Sequence, residues 1–395
     1  MYIDFVFYRE GDVYVLNGRT LTSGAWVEID LNAIANNVRQ IKKRLPSKTR
    51  FMAVVKANAY GHGSVPVASA ALGAGADWLG VATVNEGIEL REGGIQAPIL
   101  ILGLSHRDFA EDIVKWDLAG TICTEDEAKA LSDAGIKYGK VAQVHLKVDT
   151  GMGRIGLRSH EVIPFLMRLR GMDLTALNID GIFTHFATAD EEDKSYTFKQ
   201  FETFQRVIAE AHFKGFDFRL HHAANSAAAL YLPQTAMDMV RVGISLYGLF
   251  PENEFNLIPA LQFKTHVAHI KTLPIKESIS YGRKYIADDA IKVATLSAGY
   301  ADGYSRSLSN RGEVIINGSI VPVIGNICMD QCMVKVPNDL PVAVGDEAIL
   351  IGSQGVAEIT ANDVANKIGT ISYEVVSGIS SRVKRVYYNG RRSDL

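Results

Sequence analysis

The sequence predicts an α/β chain: a (β/α)8 TIM barrel followed by a mostly antiparallel β-strand domain. From about residue 25, eight apolar, β-branched segments alternate with longer amphipathic segments. Eight strands close such a barrel, and the alternating region is close to the ~250 residues typical of the fold. The alternation stops near Pro259, where short strands separated by turn signals such as Asn317-Gly318 take over. These changes predict an extension over 1–24, a barrel over 25–260 and a β domain over 261–395.

Each predicted barrel strand is an apolar run bounded by polar or glycine-rich residues. The eight runs are Phe51–Val55, Trp78–Ala82, Ile99–Leu102, Gly120–Cys123, Val141–Val148, Ile179–Thr184, Phe218–His222 and Met239–Ile244. The segments between them have helical periodicity, and four are assigned as helices: Val65–Leu72, Glu86–Arg91, Glu125–Ala134 (ended by Gly135) and Tyr196–His212. An open doubly wound sheet is the alternative, and it requires a topological switch point that the sequence does not reveal.

The region after Pro259 is predicted to be mostly β structure. Its candidate strands are Thr265–Leu273, Ile291–Ser297, Glu313–Ile316, Ile320–Val323, Cys332–Val336 and Ala348–Ile351. One helix is predicted, at Ala361–Ile368. Residues 1–24 either add a hairpin to this domain or form a loose extension.

Composition excludes several classes of protein. A net charge of −3 gives no reason to expect nucleic acid or an anionic membrane as partner. The three cysteines (Cys123, Cys328 and Cys332) form neither a CxxC pair nor an even disulfide framework, so no structural zinc or other metal is predicted. No apolar run is long enough to span a bilayer, and acidic residues near the amino terminus argue against a signal peptide. A cytoplasmic protein is therefore expected.

Lys56 is the strongest candidate for a catalytic residue. It closes the apolar run Phe51–Val55, and a polar segment with two glycines follows, Asn58 to Gly63. The simpler interpretation is a surface lysine that ends a strand. However, α/β folds place their sites at the carboxyl ends of strands, and partial burial lowers the pKa of an amine. A neutral amine can attack an aldehyde and form a Schiff base, so Lys56 is predicted to bind an aldehyde cofactor.

The segment Gly151–Gly156 matches the GxGxxG pattern of dinucleotide-binding loops. Its context does not fit, because Lys147 and Asp149 stand near the end of the preceding strand and Arg154 lies inside the loop. A helical pattern begins only near His160. Dinucleotide binding is therefore not favoured.

Two short segments with small or polar residues lie at the ends of the last two predicted strands. Asn225-Ser226 follows the seventh strand, and Arg241 to Ile244 lies at the eighth. The corresponding loops of eight-stranded barrels often bind phosphate through backbone N–H groups and small side chains. A helix N-cap is the simpler role for Asn225-Ser226, and it is compatible with phosphate binding. Together with Lys56 they point to pyridoxal phosphate, with Arg241 facing the ring nitrogen and His185 beside the ring.

These segments resemble the alanine racemase family of fold-type III pyridoxal phosphate enzymes, over about residues 26–386. The matching motifs occur in the family's order: Ala53–Gly63, Val148–Arg154, Ala223–Ser226, Arg241 with Gly243-Ile244, Ser280–Gly282, Gly299–Gly303, Ile327–Gln331 and Tyr373-Glu374. The resemblance implies a barrel, a carboxy-terminal β domain and a homodimer whose active sites are shared between subunits. The implied activity is interconversion of L-alanine and D-alanine, which supplies D-alanine for peptidoglycan.

The family's site residues carry over to matching positions. Lys56 is implied to hold the cofactor and to act as one catalytic base, with Tyr281 of the partner subunit as the opposite base. The remaining cofactor-binding positions are Tyr60, His185, Asn225, Ser226, Arg241, Gly243, Ile244 and Tyr373. The substrate carboxylate is assigned to Arg154 and the backbone of Met329.

Three further residues have supporting roles in the resemblance. Lys147 matches a lysine that some members carbamylate, His222 bonds Arg241, and Tyr300 lines the substrate entryway. A racemase for serine or another small amino acid is the remaining alternative. A decarboxylase is disfavoured by Arg241, and a non-catalytic cofactor-carrying barrel is disfavoured by the β domain.

Overall fold

The computed structural model describes residues 24–250 and 255–389. The extension predicted over 1–24 therefore lies, except for its last residue, outside the described residues. Within the described ranges, no helix is long and apolar enough to cross a bilayer. The expected cytoplasmic location stays a prediction.

Residues 50–242 contain eight parallel strands that form a nearly closed barrel. The strands are Arg50–Val54, Trp78–Val81, Ile99–Leu104, Ala119–Ile122, Ala142–Asp149, Leu177–Phe183, Leu220–His222 and Met239–Val242. Each one overlaps a predicted strand, so the predicted barrel is confirmed. The last strand pairs in parallel register with the first, which excludes the open doubly wound sheet.

The barrel is not fully closed between strands Leu220–His222 and Met239–Val242. A few backbone hydrogen bonds join these strands instead of a continuous ladder. The N–H of Asp238 donates to the carbonyl of His221 at 3.1 Å, and the N–H of Arg241 donates to the carbonyl of Ala224 at 3.0 Å. Because side chains alternate along a strand, His222 and Arg241 lie on the same face as the buried layer below them. That layer consists of Met52, Trp78, Leu100, Ala119, Leu220 and Met239.

Helices connect the strands of this unit. Their bounds are Leu31–Lys42, Ser64–Gly73, Val84–Glu92, Ala110–Lys115, Glu125–Tyr138, Val162–Arg170, Ser195–Phe213 and Ser226–Tyr231. The predicted end of one helix at Gly135 is wrong, because the helix continues to Tyr138 and is capped by Gly139 at φ 65°. Gly135 serves close packing instead, since a Cβ there would lie 2.8 Å from the Cβ of Ala176.

The second unit is mostly antiparallel β structure, as predicted. Its strands are Ala25–Asp30, Leu261–Leu273, Ser278–Ile279, Tyr285–Ile286, Ile291–Leu296, Glu313–Ile316, Ser319–Pro322, Cys332–Val336, Glu347–Gln354, Ala357–Ile359 and Lys384–Tyr388. Its helices are Ala361–Ile368 and Ser372–Ser377, the first with the bounds that the sequence predicts. One core cluster consists of Leu273, Ile279, Ala287, Ile291, Val293, Ile324 and Met333.

Strand Ala25–Asp30 falls within the predicted barrel range 25–260 but belongs to the second unit. It pairs antiparallel with Leu261–Leu273 and parallel with Lys384–Tyr388. Buried Lys264 reinforces this contact, because its Nζ lies 3.0 Å from carboxylate oxygens of both Glu28 and Glu347. The partners of this strand lie more than 230 residues away in sequence, so its local pattern cannot show where it pairs.

The described residues divide into two compact units, which correspond to the barrel and the β domain. One unit holds residues 34–59 and 64–258, and the other holds the described residues before 34, those from 259 on, and the short segment 60–63. Lys56 thus belongs to the barrel unit, whereas Tyr60, only four residues later, belongs to the β unit.

Candidate active site

The chain leaves the first barrel strand through a left-handed helical turn. Ala57, Asn58, Ala59 and Tyr60 have φ of 52°, 51°, 50° and 52°. The N–H of Ala59 donates to the carbonyl of Val55 at 2.9 Å, which closes one turn directly around Lys56. Left-handed helical backbone costs L-residues about 1–2 kcal/mol each. Four non-glycine residues form this turn, and Gly61 and Gly63 come only after it.

Side-chain hydrogen bonds hold the turn. One carboxylate oxygen of Glu86, Oε1, accepts from the N–H of Ala57 at 2.7 Å. The side-chain oxygen of Asn58 accepts from the N–H of Ser64 at 2.9 Å and from its hydroxyl at 3.1 Å. The backbone on either side of the turn is therefore fixed, which keeps Lys56 at the carboxyl end of its strand. Strained backbone that is held in this way is common at active sites.

Lys56 is partly buried, and burial lowers the pKa of its amine below the ordinary value. The nearby cation of Arg154 lowers this pKa further, while the carboxylate of Glu86 acts in the opposite direction. A depressed pKa raises the fraction of neutral amine, which is the form that attacks an aldehyde.

Arg241 is buried and held by four acceptors. Its Nη2 donates to the carbonyls of Thr184 at 2.7 Å and Ala223 at 3.0 Å. Arginine only donates hydrogen bonds, so the Nδ1 atoms of His222 and His185, each 3.1 Å from the guanidinium, accept from it. The Nε–H of Arg241 has no acceptor among the described residues. Burial lowers the pKa of Arg241 to about 9, so the guanidinium stays charged at pH 7.

Lys147 is a second buried amine in the barrel. It lies on strand Ala142–Asp149, its Nζ donates to the carbonyl of Val148 at 2.9 Å, and the ammonium lies 5.1 Å from the ring centroid of Phe183. Burial, with the cations of Arg241 and Arg154, lowers the pKa of Lys147 to about 7. Its charge state therefore changes close to neutral pH.

Arg154 is exposed and makes no hydrogen bond or ion pair with any residue in the described ranges. Its charge nevertheless acts on the other site groups, because it lowers the pKa values of Lys56, Lys147 and Arg241. Arg154 lies within electrostatic range of all three of these cations, and Lys147 also lies within range of Arg241. Such a cluster favours anionic ligands.

The loops after the seventh and eighth strands are tied together by a serine. Asn225 caps helix Ser226–Tyr231, with its side-chain oxygen accepting from the N–H of Ala228 at 3.1 Å. The hydroxyl oxygen of Ser226 accepts from the N–H of Gly243 at 2.9 Å. The hydroxyl proton of Ser226 remains available as a donor.

The segment after Gly243 is a 3-10 turn, Ile244–Tyr247. Its Ser245 is fully buried, and the hydroxyl oxygen has no partner among the described residues. The hydroxyl of Tyr247 donates to the carbonyl of Val54 at 2.9 Å. This bond fastens the turn to the strand that ends just before Lys56.

The GxGxxG segment does not form a dinucleotide loop. The carboxylate of Asp149 accepts from the N–H groups of Gly151 at 2.9 Å and Gly153 at 3.0 Å, so these donors are already used. The element that follows is the two-residue strand Leu157–Arg158 rather than a helix. A pyrophosphate would lack the helix start that it needs.

The remaining predicted site residues lie in the β unit. The rings of Tyr60 and Tyr373 lie 6.0 Å apart between centroids, and burial raises the pKa of Tyr60. The N–H of Tyr300 donates to the carbonyl of Cys328 at 3.1 Å, which joins its loop to the loop of Met329. Tyr281 is 74% exposed, and its backbone carbonyl accepts from the side chain of Asn326 at 2.7 Å.

Two residues in contact with the site were missed by the sequence analysis. Glu86 is the third helical residue after Thr83, and the Thr-x-x-Glu spacing of a capping box could have marked it. His145 bonds His222 and lies on the strand that carries Lys147. The two-residue spacing of His145, Lys147 and Asp149 places polar groups on one face of a buried strand, and that signal could have drawn attention to His145.

Fold and site together define a (β/α)8 barrel that contains a lysine of lowered pKa and a buried, hydrogen-bonded arginine. Family models match most of the chain: "Alanine racemase, N-terminal domain" matches residues 29–251, and "Alanine racemase, C-terminal domain" matches 260–387. The chain belongs to the alanine racemase family. It is an isomerase, and alanine is the amino acid that it racemises.

Individual relatives agree. The alanine racemase of Symbiobacterium thermophilum is 50% identical over 366 residues, covering 92% of this chain and 96% of that protein. A crystal structure of alanine racemase from Bacillus anthracis with bound L-Ala-P has a TM-score of 0.88 and 40% identity, and the match covers 95% of this chain and 97% of that one. A crystal structure from Bartonella henselae, described as having covalently bound pyridoxal phosphate, has a TM-score of 0.83 and 27% identity over 92% of this chain and 99% of that one.

Proposed function

We propose that this racemase works with pyridoxal 5'-phosphate bound to Lys56, in a homodimer whose active sites combine residues of both subunits. Lys56 and Tyr281 of the partner subunit are the two bases, and the product D-alanine serves peptidoglycan synthesis. The observation that carries the proposal is the charged, buried Arg241, whose Nε–H has no acceptor among the described residues, in the same barrel as a lysine of depressed pKa.

The residues present fit this cofactor. A phosphate needs donors, and Ser226 and Ser245 supply hydroxyls in the linked loops after the last two strands. The backbone of Gly243 and Ile244 adds to this cradle, and Tyr60 and Tyr373 are proposed as further phosphate contacts. When bound, the cofactor would withdraw electrons from the α-carbon and so acidify its proton.

Arg241 sets the kind of reaction that follows. Its free Nε–H is the donor proposed for the ring nitrogen. Nη1 donates to His222, and Nη2 is held by His185 and two carbonyls. Because a guanidinium stays protonated, it leaves a nitrogen that it faces unprotonated. This limits the electron withdrawal available, which restrains decarboxylation and transamination relative to proton exchange.

Arg154 is proposed to hold the substrate carboxylate. It is a cation without a partner in the described ranges, and it lies close enough to Lys56 to lower that residue's pKa. A bidentate guanidinium suits a carboxylate. The exposed Met329, whose N–H donates no backbone hydrogen bond in the described structure, is proposed to add a second donor.

Lys56 is proposed to exchange the α-proton on one face of the substrate. Inversion then needs a second base on the opposite face. Tyr281 of the neighbouring subunit is proposed for this role.

Exposed apolar side chains support the homodimer. Large exposed apolar groups on one unit are typical of protein–protein contact surfaces. In the β unit they include Tyr281, Ile286, Tyr300, Met329, Ile371 and Tyr373, each at least 40% exposed.

The test is the visible spectrum and racemase activity of the purified protein. With pyridoxal phosphate added, wild type is expected to show a visible absorbance band of the lysine-bound cofactor, and to convert L-alanine faster than L-serine or L-lysine. Lys56→Ala should lose both, while Lys43→Ala, at an exposed position, should keep both. A Lys56→Ala protein that keeps the band would contradict the lysine assignment.

The peptidoglycan role is tested in cells: expression of the wild-type protein should let a D-alanine auxotroph grow without added D-alanine.

A further inference from the structure

A buried row of polar side chains extends from Arg241, on the side opposite its Nε–H: first His222, then His145 and Asp180. Arg241 Nη1 lies 3.1 Å from His222 Nδ1, and His222 Nε2 lies 2.8 Å from His145 Nδ1. Both histidines have no exposed surface. Beyond them, the Nε2 of His145 lies 4.0 Å from a carboxylate oxygen of Asp180.

The direction of every hydrogen bond in this chain follows from its first member. Arginine only donates, so Nδ1 of His222 accepts and its proton must sit on Nε2. That proton is then donated to Nδ1 of His145, which places the proton of His145 on Nε2, facing Asp180. Burial keeps both rings neutral by lowering the pKa of His145 to about 4 and that of His222 well below its ordinary value.

The backbone makes room for this arrangement. The pairing of strand Leu177–Phe183 with Ala142–Asp149 shifts register between Val144 and His145, where Asp180 is the extra residue of a β-bulge. The next residue is Gly181. Any side chain there would clash with His145, because its Cβ would lie 2.6 Å from Nδ1 of the ring. Bulges commonly re-aim a side chain near an active site.

The far end of the chain is anchored as well. Arg219 Nε donates to Oδ1 of Asp180 at 2.7 Å, and its Nη2 contacts the other carboxylate oxygen. The ring of His222 stacks on Phe183 with centroids 4.8 Å apart and an interplanar angle of 2°. His222 is therefore fixed in its plane by stacking and along its edges by hydrogen bonds.

We infer that His145 is a positioning residue for Arg241. By accepting the Nε2 proton of His222, it holds that ring with Nδ1 toward the guanidinium. The carboxylate of Asp180, 4.0 Å from Nε2 of His145, favours a proton on that nitrogen. The orientation of the free Nε–H of Arg241 depends on this support. The role of that donor toward the cofactor ring rests on the proposed function, whereas the hydrogen-bond directions do not.

Nuclear magnetic resonance of the full-length protein with ¹⁵N-labelled histidine tests the directions themselves. The ring signals of His145 and His222 are assigned from His145→Asn and His222→Asn proteins. In wild type, with or without pyridoxal phosphate, one-bond N–H coupling is expected at Nε2 and none at Nδ1 in both rings. A proton on Nδ1 of His222 would overturn the inference. The coupling is read from wild-type protein, and the two variants serve only to assign its signals.

Two substitutions separate hydrogen bonding from packing. Asparagine at 145 keeps an acceptor near the position of Nδ1 but loses ring volume, whereas phenylalanine keeps the volume and has no acceptor. We expect His145→Asn to keep kcat within about threefold of wild type, and His145→Phe to lose about 10- to 100-fold in kcat with KM little changed. The opposite order, with phenylalanine better than asparagine, would show a packing role only.

Exposed His212 provides the matched control, because His212→Gln changes a histidine that is not part of the buried Arg241–His222–His145 network. Its activity and cofactor spectrum should equal those of wild type. If wild type itself shows no cofactor band, the proposed function fails, while the coupling pattern of the two histidines still decides the hydrogen-bond directions.

Discussion

Oε1 of Glu86 accepts a hydrogen bond of 2.7 Å from the N–H of Ala57, the residue that directly follows Lys56. The other carboxylate oxygen accepts from the N–H groups of Ala82 at 2.7 Å and Thr83 at 3.2 Å. One side chain thus ties the start of helix Val84–Glu92 to the left-handed turn that follows Lys56. Its negative charge also opposes the fall in the pKa of Lys56.

Replacing Glu86 with glutamine should destabilise the protein. The amide can accept at only one of its two positions, so either the turn or the helix start loses its acceptor and faces an N–H₂ group. We expect the free energy of unfolding to fall by about 1–3 kcal/mol. Guanidinium chloride unfolding measures this, with exposed Glu89→Gln on the same helix as control. Equal midpoints for the two variants would show that the Glu86 carboxylate does not hold the turn.

Lys147 should form a carbamate. Its pKa of about 7 makes the amine largely neutral at pH 8, and a neutral amine adds carbon dioxide to give a carbamate with release of one proton. The new negative charge would lie near Arg154 and Arg241. With ¹³C-labelled bicarbonate, we expect a carbamate signal at pH 8 that is lost at pH 5.5, where the amine is protonated.

The control for this experiment is Lys140→Ala, which removes a half-buried lysine paired with Asp117. That protein should keep the carbamate signal, and Lys147→Ala should lose it. A signal of equal intensity in Lys147→Ala would assign the carbamate to another amine.

The barrel could be predicted from sequence because each strand is a short apolar run with its own boundaries. The turn after Lys56 and the bulge at Asp180 could not be predicted, because their geometry depends on residues distant in sequence. The left-handed turn at Ala57–Tyr60 has no glycine. It is held by the acceptor oxygens of two side chains: Glu86 accepts from Ala57, and Asn58 accepts from Ser64. The bulge at Asp180 arises from the pairing of two strands, and neither strand alone shows a change of period there.

Site residues divide in the same way. Lys56 and Arg241 are visible in the sequence because a charged residue at the end of an apolar strand is unusual. His145 was passed over as one polar residue in the strand Ala142–Asp149, since its partner His222 is 77 residues away. Buried hydrogen-bond networks of this kind become visible only once the strands are in register.

Stability should fall as the pH drops from about 6.5 toward 4. The pKa of folded His145 is about 4, below the ordinary 6.5, so between these values the unfolded chain binds a proton that the folded chain does not. Stability then rises with pH across this window, by about 1.4 kcal/mol per pH unit for each such group. His185 and His222 shift in the same direction and steepen the dependence.

Denaturant unfolding at several pH values between 6.5 and 5 measures the slope, and His145→Asn should reduce it by about one proton. His212→Gln, whose ring lies at the surface, is the control. A slope that is the same in wild type and His145→Asn would mean that His145 is already protonated in the folded protein.

Subunit mixing should reveal whether active sites are shared. Lys56→Ala and Tyr281→Phe are each expected to lose most of the activity, since each removes one proposed base. In a mixed dimer, one site carries both changes and the other carries neither, because the intact Lys56 and the intact Tyr281 come from opposite subunits. Random exchange of equal amounts should therefore restore about a quarter of wild-type activity.

Two affinity tags allow the mixed dimers to be isolated, and unexchanged mixtures of the two variants give the baseline. Isolated mixed dimers with no more activity than this baseline would place Lys56 and Tyr281 of one site in the same subunit. Isotope washout separates the bases further: since Tyr281→Phe removes the base on one face only, exchange of the α-proton should slow unequally for L-alanine and D-alanine. Equal slowing from both enantiomers would argue for a single base that serves both faces.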